Sequence, residues 1–255
     1  RGNVYQFFVK KEQIQGHDIV ITGSDVNHIK NVLRMKTGEE IAVSNGEDGR
    51  EYRCQIEEFR ETDILCKLRF VKEDGVELPS RVYLFQGLPK SDKMEFIIQK
   101  AVELGAFQII PVMSKRTVVK LDDRKEKSRI LRWNAIAEAA AKQSRRGIIP
   151  EVTRVYSFKE AVLYAKDIGV KIIPYELAEG MGKTKEIFEH LKAGEDIAVF
   201  IGPEGGFEES EAAFAKENGV IPVTLGKRIL RTETAGLTVL SWIMYQLEAV
   251  GCMGA

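Results

Sequence analysis

The sequence predicts an α/β protein in two parts, with a small β-barrel in residues 1–75 and a larger domain in residues 76–255. The first part contains several short segments rich in β-branched and aromatic residues, a pattern typical of a small barrel. In the second part, apolar runs alternate with helical patterns, and such a βα series predicts a mostly parallel sheet with helices on both faces. A charged stretch at 72–80, which contains Gly75 and Pro79, marks the boundary.

The elements of the first part follow from its alternating apolar pattern. Asn45–Gly49 has the composition of a hairpin turn between two strands. Ser24–Arg34 is predicted to be the one helix here, with Ser24 as its N-cap. The predicted strands are Val4–Val9, Asp18–Thr22, Glu40–Ser44, Arg50–Phe59 and Asp63–Val71.

The elements of the second part alternate between strands and helices. Asp92 and Glu95 have the spacing of a capping box, and Gly105 stands where that helix should end. The predicted strands are Arg81–Phe85, Gln108–Met113, Val170–Pro174, Asp196–Ile201 and Val220–Leu225. The predicted helices are Ser91–Leu104, Arg124–Ser144, Phe158–Ile168, Glu208–Asn218 and Glu233–Val250.

Composition excludes several classes of protein. The 38 basic and 38 acidic residues balance, so any nucleic-acid surface must be a local patch. Three scattered cysteines predict a reducing compartment without a disulfide framework. We expect a cytoplasmic protein without a membrane partner, because no apolar run has the length of a membrane span and no signal-peptide core is present. The histidines and acidic residues lack metal-site spacing, so no metal is predicted.

Two glycine-bearing segments predict a ligand crevice. The first is 201–207 (IGPEGGF), and the second is 225–235 (LGKRILRTETA). Each follows a predicted buried strand and leads into a helix, and ligands of α/β sheets bind at such strand ends. The first segment has neither the glycine spacing of a dinucleotide site nor the lysine and hydroxyl of a phosphate loop. With Glu204 in the first segment, a neutral or cationic ligand is favoured, although an ordinary strand-to-helix turn is the alternative.

The second segment also concentrates polar side chains. Arg228 and Arg231 lie beside a predicted strand end, and helix capping does not explain why two arginines occur there. Thr232 or Thr234 suits the N-cap of the last helix, and Glu233 suits its first turn. For Glu233, helix capping and a functional role are therefore both open.

A basic stretch at 114–146 indicates a polyanionic partner. It contains eleven lysine or arginine residues against four acidic ones. A solvated surface usually mixes both signs, so the excess of one sign favours contact with RNA or DNA over simple solvation.

These motifs resemble one enzyme family. The two glycine segments, Gly87–Lys90, Gln99–Gly105 and Gln143–Arg146 are similar to the bacterial 16S ribosomal RNA uridine-N3 methyltransferases of the SPOUT superfamily. The resemblance covers nearly the whole chain and includes a His28-to-Met35 motif in the first part. It implies a PUA-like β-barrel followed by a SPOUT domain with a deep trefoil knot. Without it, the βα pattern alone would predict an ordinary doubly wound sheet, since knots are essentially absent from proteins.

The resemblance also implies the chemistry. It implies methylation of a 16S rRNA uridine at N3, S-adenosylmethionine as the methyl donor, and a homodimer acting on 16S rRNA or the small ribosomal subunit. Arg231 and Glu233 are the implied catalytic residues. The implied cofactor-binding residues are Glu176, Ile201, Gly202, Pro203, Glu204, Gly206, Leu225, Gly226, Ile229, Leu230, Arg231, Glu233, Thr234 and Ala235. The implied RNA-binding residues are Arg34, Lys93, Arg116, Gln143, Arg145 and Arg146.

Three alternatives stay open at this point. A ribose 2′-O-methyltransferase of the same superfamily is disfavoured because the last helix opens with 232–237 (TETAGL) and lacks the asparagine-bearing motif of those enzymes. A non-catalytic RNA-binding assembly factor would show the basic stretch without binding a methyl donor. A nucleotide-binding switch is disfavoured because the phosphate-loop lysine is missing.

Overall fold

The computed structural model describes residues 4–73, 75–119, 121–175 and 180–252, with side chains up to residue 249. The chain forms two compact units. The first comprises residues 1–77 and 141–149, and the second comprises residues 78–140 and 150–255. The sequence predicted one boundary after residue 75, so it did not assign residues 141–149, here called the return segment, to the first unit.

The first unit is built around one six-stranded sheet. Its strand order is β1-β4-β5-β6-β3-β2, and every pairing is antiparallel except that of β1 with β4. One hydrophobic cluster, which includes Phe7, Ile21 and Ile64, packs on this sheet. The strands are β1 Gln6–Phe8, β2 Ile14–Gln15, β3 Asp18–Thr22, β4 Glu40–Ser44, β5 Glu51–Phe59 and β6 Asp63–Lys72.

The helix of the first unit differs from the prediction in its start and its form. It begins as α1, Ser24–Asn27, and continues as a π-helical turn, His28–Val32. The predicted N-cap at Ser24 is wrong, because Gly23 with φ 74° occupies that position and no side chain caps the helix. Gly23 lacks a Cβ and adopts this left-handed backbone without strain, so the turn that starts the helix is placed one residue earlier.

The second unit has a parallel sheet, as predicted. The strand order is β10-β8-β7-β12-β11-β13, and β9 also pairs with β8. All of its pairings are parallel. The strands are β7 Val82–Gly87, β8 Gln108–Met113, β9 Glu151–Val152, β10 Tyr156–Ser157, β11 Val170–Pro174, β12 Ile197–Ile201 and β13 Ile221–Val223.

In the described residues, six α-helices follow α1 along the chain. Five lie within the second unit, and α3 begins there and ends in the return segment. The six helices are α2 Lys93–Glu103, α3 Asp123–Gln143, α4 Phe158–Tyr164, α5 Met181–Glu189, α6 Glu209–Glu217 and α7 Thr232–Cys252. The sequence pattern did not predict α5, since Gly180 and Gly182 at its start weaken a helical signal. Gly105 has φ 88° after α2, which confirms the predicted stop.

The capping box predicted at the start of α2 is wrong. Asp92 is the N-cap residue, but its side chain makes no capping hydrogen bond. Glu95 pairs with Arg132 of α3 instead, with Nε to Oε1 at 2.7 Å. The carboxylate that the sequence assigned to the helix start therefore joins two helices.

The order of the strands places the site. β12 lies at the centre of the sheet between β7 and β11, and β13 lies next to β11. Because all these strands are parallel, the loops after β7, β11, β12 and β13 leave the sheet at one edge. Both glycine segments therefore begin at the same edge, beside the Gly87–Asp92 connection from β7 to α2.

Candidate active site

The first glycine loop follows the fully buried strand β12. Ile201 and Pro203 are buried, and Gly206 has φ 66°, a left-handed backbone that favours glycine. Gly87 at the end of β7 lies against this loop, and a Cβ at Gly87 would be 2.5 Å from the Pro203 nitrogen. The close approach requires glycine at position 87, so the end of β7 and the loop form one packed wall.

The second glycine loop follows β13. Thr184 of α5 donates to the Thr224 carbonyl and accepts from the Thr224 N–H, both at 3.1 Å, and so fixes the loop's base. Gly226 has φ 106°, another left-handed position. Leu225, Leu230 and Ala235 are half-buried, whereas Ile229 is 89% exposed. The loop therefore combines backbone groups and apolar side chains with three exposed cations in segment 227–231, and this composition suits a ligand with both apolar and polar portions.

Two carboxylates from the two loops meet at one lysine. Lys93 Nζ lies 3.2 Å from Glu204 Oε1 and 3.5 Å from Glu233 Oε2. The backbone N–H of Lys90 also donates to Glu204, at 3.1 Å. The side chains of Lys93, Glu204 and Glu233 are 30%, 29% and 19% exposed, so the cluster is partly open to solvent. Two carboxylates and one ammonium leave a net charge of −1, which complements one further positive charge.

The surroundings of Glu204 keep it ionised. Partial burial acts to raise the pKa of Glu204, but hydrogen bonds from its own backbone N–H, from the Lys90 N–H and from the Lys93 ammonium outweigh that effect. The pKa of Glu204 is therefore lower than the usual glutamate value. Glu233 differs, since its Oε2 is buried without a hydrogen bond in the described part of the protein.

Thr232 does more than begin the last helix. Its hydroxyl donates to the Gly202 carbonyl at 2.6 Å and accepts from Gln86 Nε2 at 2.9 Å. The sequence pattern predicted a capping role for this residue or Thr234. Through these two bonds the Thr232 hydroxyl joins the first glycine loop to the end of β7.

Arg231 and Thr234 are exposed at the start of α7. Within the described residues, no carboxylate lies at ion-pair distance from Arg231. An open groove of about 630 Å³ begins beside them and runs between α2 and α7. It is lined by Phe96, Glu233, Thr234, Leu237, Thr238, Ser241 and Trp242.

The predicted RNA-binding residues fall into different environments. Arg116 is exposed and donates to the Gly205 carbonyl at 2.9 Å, so it lies beside the first glycine loop. Lys93 has the two carboxylates as partners. Arg34, Gln143 and Arg145 are exposed in the first unit or on the helix that leads to it.

Arg146 does not fit its predicted role in RNA binding. It is 3% exposed, and its guanidinium forms a bidentate pair with Glu77, whose carboxylate also accepts from the Gly147 N–H at 3.1 Å. A buried guanidinium already bound to a carboxylate is not available to a phosphate. The basic stretch predicted that Arg146 is exposed on the surface. In the structure Arg146 instead connects the return segment 141–149 to Glu77 through a buried ion pair.

Glu176 lies outside the described residues. Among the described residues, no group of three histidine, cysteine or acidic side chains could hold a metal ion, and no helix has the length and apolarity to cross a membrane.

Sequence reasoning missed Gln86, which is completely buried at the end of β7. The signal for it was a single amide side chain directly after an apolar run, 82–85 (VYLF), and before a glycine. Because a buried polar side chain rarely lacks a partner, this pattern could have identified Gln86 as a residue of the site.

Comparison with known proteins decides the family. An RNA methyltransferase domain model matches residues 76–244, about two thirds of the chain, and an RNA methyltransferase PUA domain model matches residues 21–68.

The chain belongs to the RNA methyltransferase family.

Named relatives agree with this assignment. The ribosomal RNA small subunit methyltransferase E of Bacillus subtilis is 39% identical over 95% of this chain and 97% of its own length. A putative methyltransferase from Legionella pneumophila, solved in complex with the cofactor SAM, has a TM-score of 0.79 at 30% identity, over 96% of this chain and 98% of that one.

A third relative is a ribosomal RNA small subunit methyltransferase E from Neisseria gonorrhoeae, solved bound to S-adenosyl methionine. It has a TM-score of 0.78 at 29% identity, over 94% of this chain and 96% of that one. In this RNA methyltransferase, the PUA match lies within the first unit, whereas the methyltransferase match covers most of the second unit and also the return segment 141–149 of the first.

Proposed function

We propose that this RNA methyltransferase transfers a methyl group from S-adenosylmethionine to N3 of a uridine in 16S rRNA of the small ribosomal subunit. The observation that carries the proposal is the pair of glycine loops at one sheet edge, with the net −1 cluster of Glu204, Glu233 and Lys93 between them. The names of the relatives support the ribosomal substrate and the donor. Methylation at N3 rests on the resemblance of the sequence motifs.

The residues at this edge fit a sulfonium cofactor. Its positive charge matches the −1 left on the cluster, while its apolar and nucleoside portions suit loops made of glycine, backbone amides and half-buried leucines. Ile201, Gly202, Pro203 and Gly206 would hold it from the first loop, and Glu176 belongs to this proposed set. From the second loop the contributing residues would be Leu225, Gly226, Ile229, Leu230, Thr234 and Ala235.

The cofactor, when bound, supplies an activated methyl group, so the protein's task is to hold and prepare the base. Arg231 is exposed beside the loops and would bind a uracil oxygen or a phosphate. A guanidinium there favours the uracil anion that forms as the N3 proton leaves. Glu233 lies 3.5 Å from the Lys93 ammonium through Oε2 and would face the positive charge of the donor.

RNA contacts come from both units in this proposal. Arg116 and Lys93 would serve near the site, and Arg34, Gln143 and Arg145 would serve in the first unit and at its return segment. The target base must be unpaired or turned out of its helix, as RNA loops permit. Such phosphate contacts weaken steeply with salt.

We also propose a SPOUT fold with a trefoil knot, a homodimer and a cytoplasmic location. The knot and the superfamily rest on the resemblance of the motifs. The groove between α2 and α7, with Phe96 46% exposed, offers an apolar surface that a second copy would cover.

The test is incubation of small-subunit RNA with the protein and labelled S-adenosylmethionine, followed by nucleoside mass spectrometry. We expect label in 3-methyluridine. Label on ribose would instead support the 2′-O alternative, and RNA binding without any donor binding in calorimetry would support the assembly factor.

A further inference from the structure

Gln86 joins three separate segments through its amide nitrogen. Nε2 donates to the Gly87 carbonyl at 2.9 Å and to Thr232 Oγ1 at 2.9 Å. Thr232 Oγ1 in turn donates to the Gly202 carbonyl at 2.6 Å. These bonds connect the end of β7, the first glycine loop and the start of α7. We call this chain of bonds the Gln86 relay.

The direction of each bond in the relay is fixed. A side-chain NH2 group only donates, so the Thr232 hydroxyl must accept from Gln86. The Thr232 hydroxyl therefore donates its own proton to the Gly202 carbonyl, which can only accept. Neither a carboxylate nor an apolar side chain at position 86 can make both donations.

The amide is retained at a cost. Gln86 is 0% exposed, and its Oε1 has no hydrogen-bond partner among the described residues. A buried acceptor without a partner lowers stability, and an apolar side chain of similar length would avoid that loss. Because the unpaired Oε1 lowers stability, the presence of Gln86 at this buried position indicates that the hydrogen bonds donated by its Nε2 are needed for function.

The relay sits where two loops must be held at a fixed spacing. Gly87 and Pro203 are already in close contact, since a Cβ on Gly87 would be 2.5 Å from the Pro203 nitrogen. Thr232 is buried and directly precedes Glu233, one of the two carboxylates of the charged cluster. A shift of the hydroxyl would therefore move the first loop and Glu233 relative to each other.

We infer that Gln86 and Thr232 are positioning residues that hold the two glycine loops in the geometry that binds the methyl donor. This inference rests on the proposed function, because it names the donor site as what the relay serves. Preorganised loops bind more tightly because less ordering is left to occur on binding.

The first test measures donor affinity by calorimetry in four variants. Thr232→Val removes the hydroxyl at nearly constant volume, and Gln86→Met removes the amide. We expect each to raise the Kd for S-adenosylmethionine about tenfold, the scale of one net hydrogen bond. Thr232→Ser keeps the hydroxyl and should stay within about twofold of wild type. Thr153→Val is the matched control, because Thr153 is also buried and donates to a backbone carbonyl, that of Arg154.

Thermal unfolding separates positioning from mere stability. Gln86→Met removes the orphaned Oε1 as well as the donor, so its unfolding temperature should change little while its donor affinity falls. A relay that is only structural predicts the opposite, with lower unfolding temperatures and an unchanged Kd in the folded protein. That result would overturn the inference.

Hydrogen exchange tests the relay without any ligand. We expect Thr232→Val, but not Thr232→Ser, to speed amide exchange in residues 202–206 and at the start of α7. If the wild type binds no donor, the proposed function fails while this measurement still decides the relay. Unchanged exchange in Thr232→Val would show that the hydroxyl does not hold the loops.

Discussion

At the scale of single residues, Arg231 carries the clearest catalytic prediction. It is exposed in the second glycine loop, and we expect its guanidinium to contact the substrate, which narrows the sequence-based expectation that it also binds the donor. We expect Arg231→Ala to lower kcat/KM for rRNA methylation by about 100-fold, as is typical when a cation that stabilises developing charge is removed. The Kd for S-adenosylmethionine should change by less than about twofold.

Lys227→Ala is the matched control for Arg231, since Lys227 is also an exposed cation of the second loop. It should keep nearly full kcat/KM. Full activity in Arg231→Ala, or an equal loss in both variants, would remove Arg231 from the proposed mechanism. Steady-state kinetics at several salt concentrations would separate a local effect from general phosphate attraction.

Glu204 carries a prediction about pH. Its pKa is lowered in the folded protein, so its ionised form stabilises the fold above the unfolded-state pKa of about 4.3. That contribution is lost as pH falls through the folded-state pKa. Glu204→Gln should therefore lower the unfolding temperature at pH 7, and the difference from wild type should shrink below about pH 4.

Thermal scans from neutral to acid pH would check the Glu204 prediction. Glu217→Gln is the control, because Glu217 is an exposed glutamate on α6 and has no partner in the recorded ion pairs of the described residues. A Glu204 variant whose deficit persists unchanged at low pH would mean that its hydrogen bonds do not depend on charge.

At the scale of elements, the return segment 141–149 depends on one buried ion pair. Arg146 and Glu77 are 4% and 17% exposed, and two backbone N–H groups of the segment also donate to Glu77. Breaking a buried pair leaves a charge without compensation, which typically costs about 3–5 kcal/mol. We expect Arg146→Ala to lower the free energy of unfolding by about 3 kcal/mol in urea titration.

Arg145→Ala is the control for Arg146, since Arg145 is the exposed neighbour. We expect it to weaken RNA binding and to lower the free energy of unfolding by less than Arg146→Ala does. The contrary outcome, in which Arg146→Ala weakens RNA binding without loss of stability, would restore Arg146 to the RNA-binding residues.

The elements also show where sequence patterns are sufficient. Asp18–Thr22, Glu40–Ser44 and Gln108–Met113 match their predicted bounds, because each combines β-branched residues with clear turn signals. The helix α5 was missed, since glycines flank its start. The role of Glu95 was misassigned, because a polar side chain can cap a helix or reach a distant segment, and local sequence does not distinguish the two.

At the scale of the whole molecule, the family and the arrangement of the site could be anticipated, but the contacts between loops could not. The glycine segments and their strands indicated one crevice, and the parallel order of β7, β12, β11 and β13 brings their loops to one edge. The two carboxylate partners of Lys93 are more than one hundred positions away from it in sequence. Such long-range pairs follow from strand order, which no local pattern encodes.

The groove between α2 and α7 is the surface at which we expect two copies of the chain to form the proposed homodimer. Phe96 is 46% exposed, and Leu237 and Trp242 line the same groove, so a second copy would bury apolar surface there. Phe96→Glu would place a charge in that interface, where it lacks a partner and loses its water. We expect this variant to sediment as a monomer in analytical ultracentrifugation at micromolar concentration, while the wild type sediments as a dimer. Val118→Glu is the control, because Val118 is 66% exposed and is not among the residues that line the groove. A dimeric Phe96→Glu variant would exclude this groove as the interface, and a monomeric wild type would reject the homodimer itself.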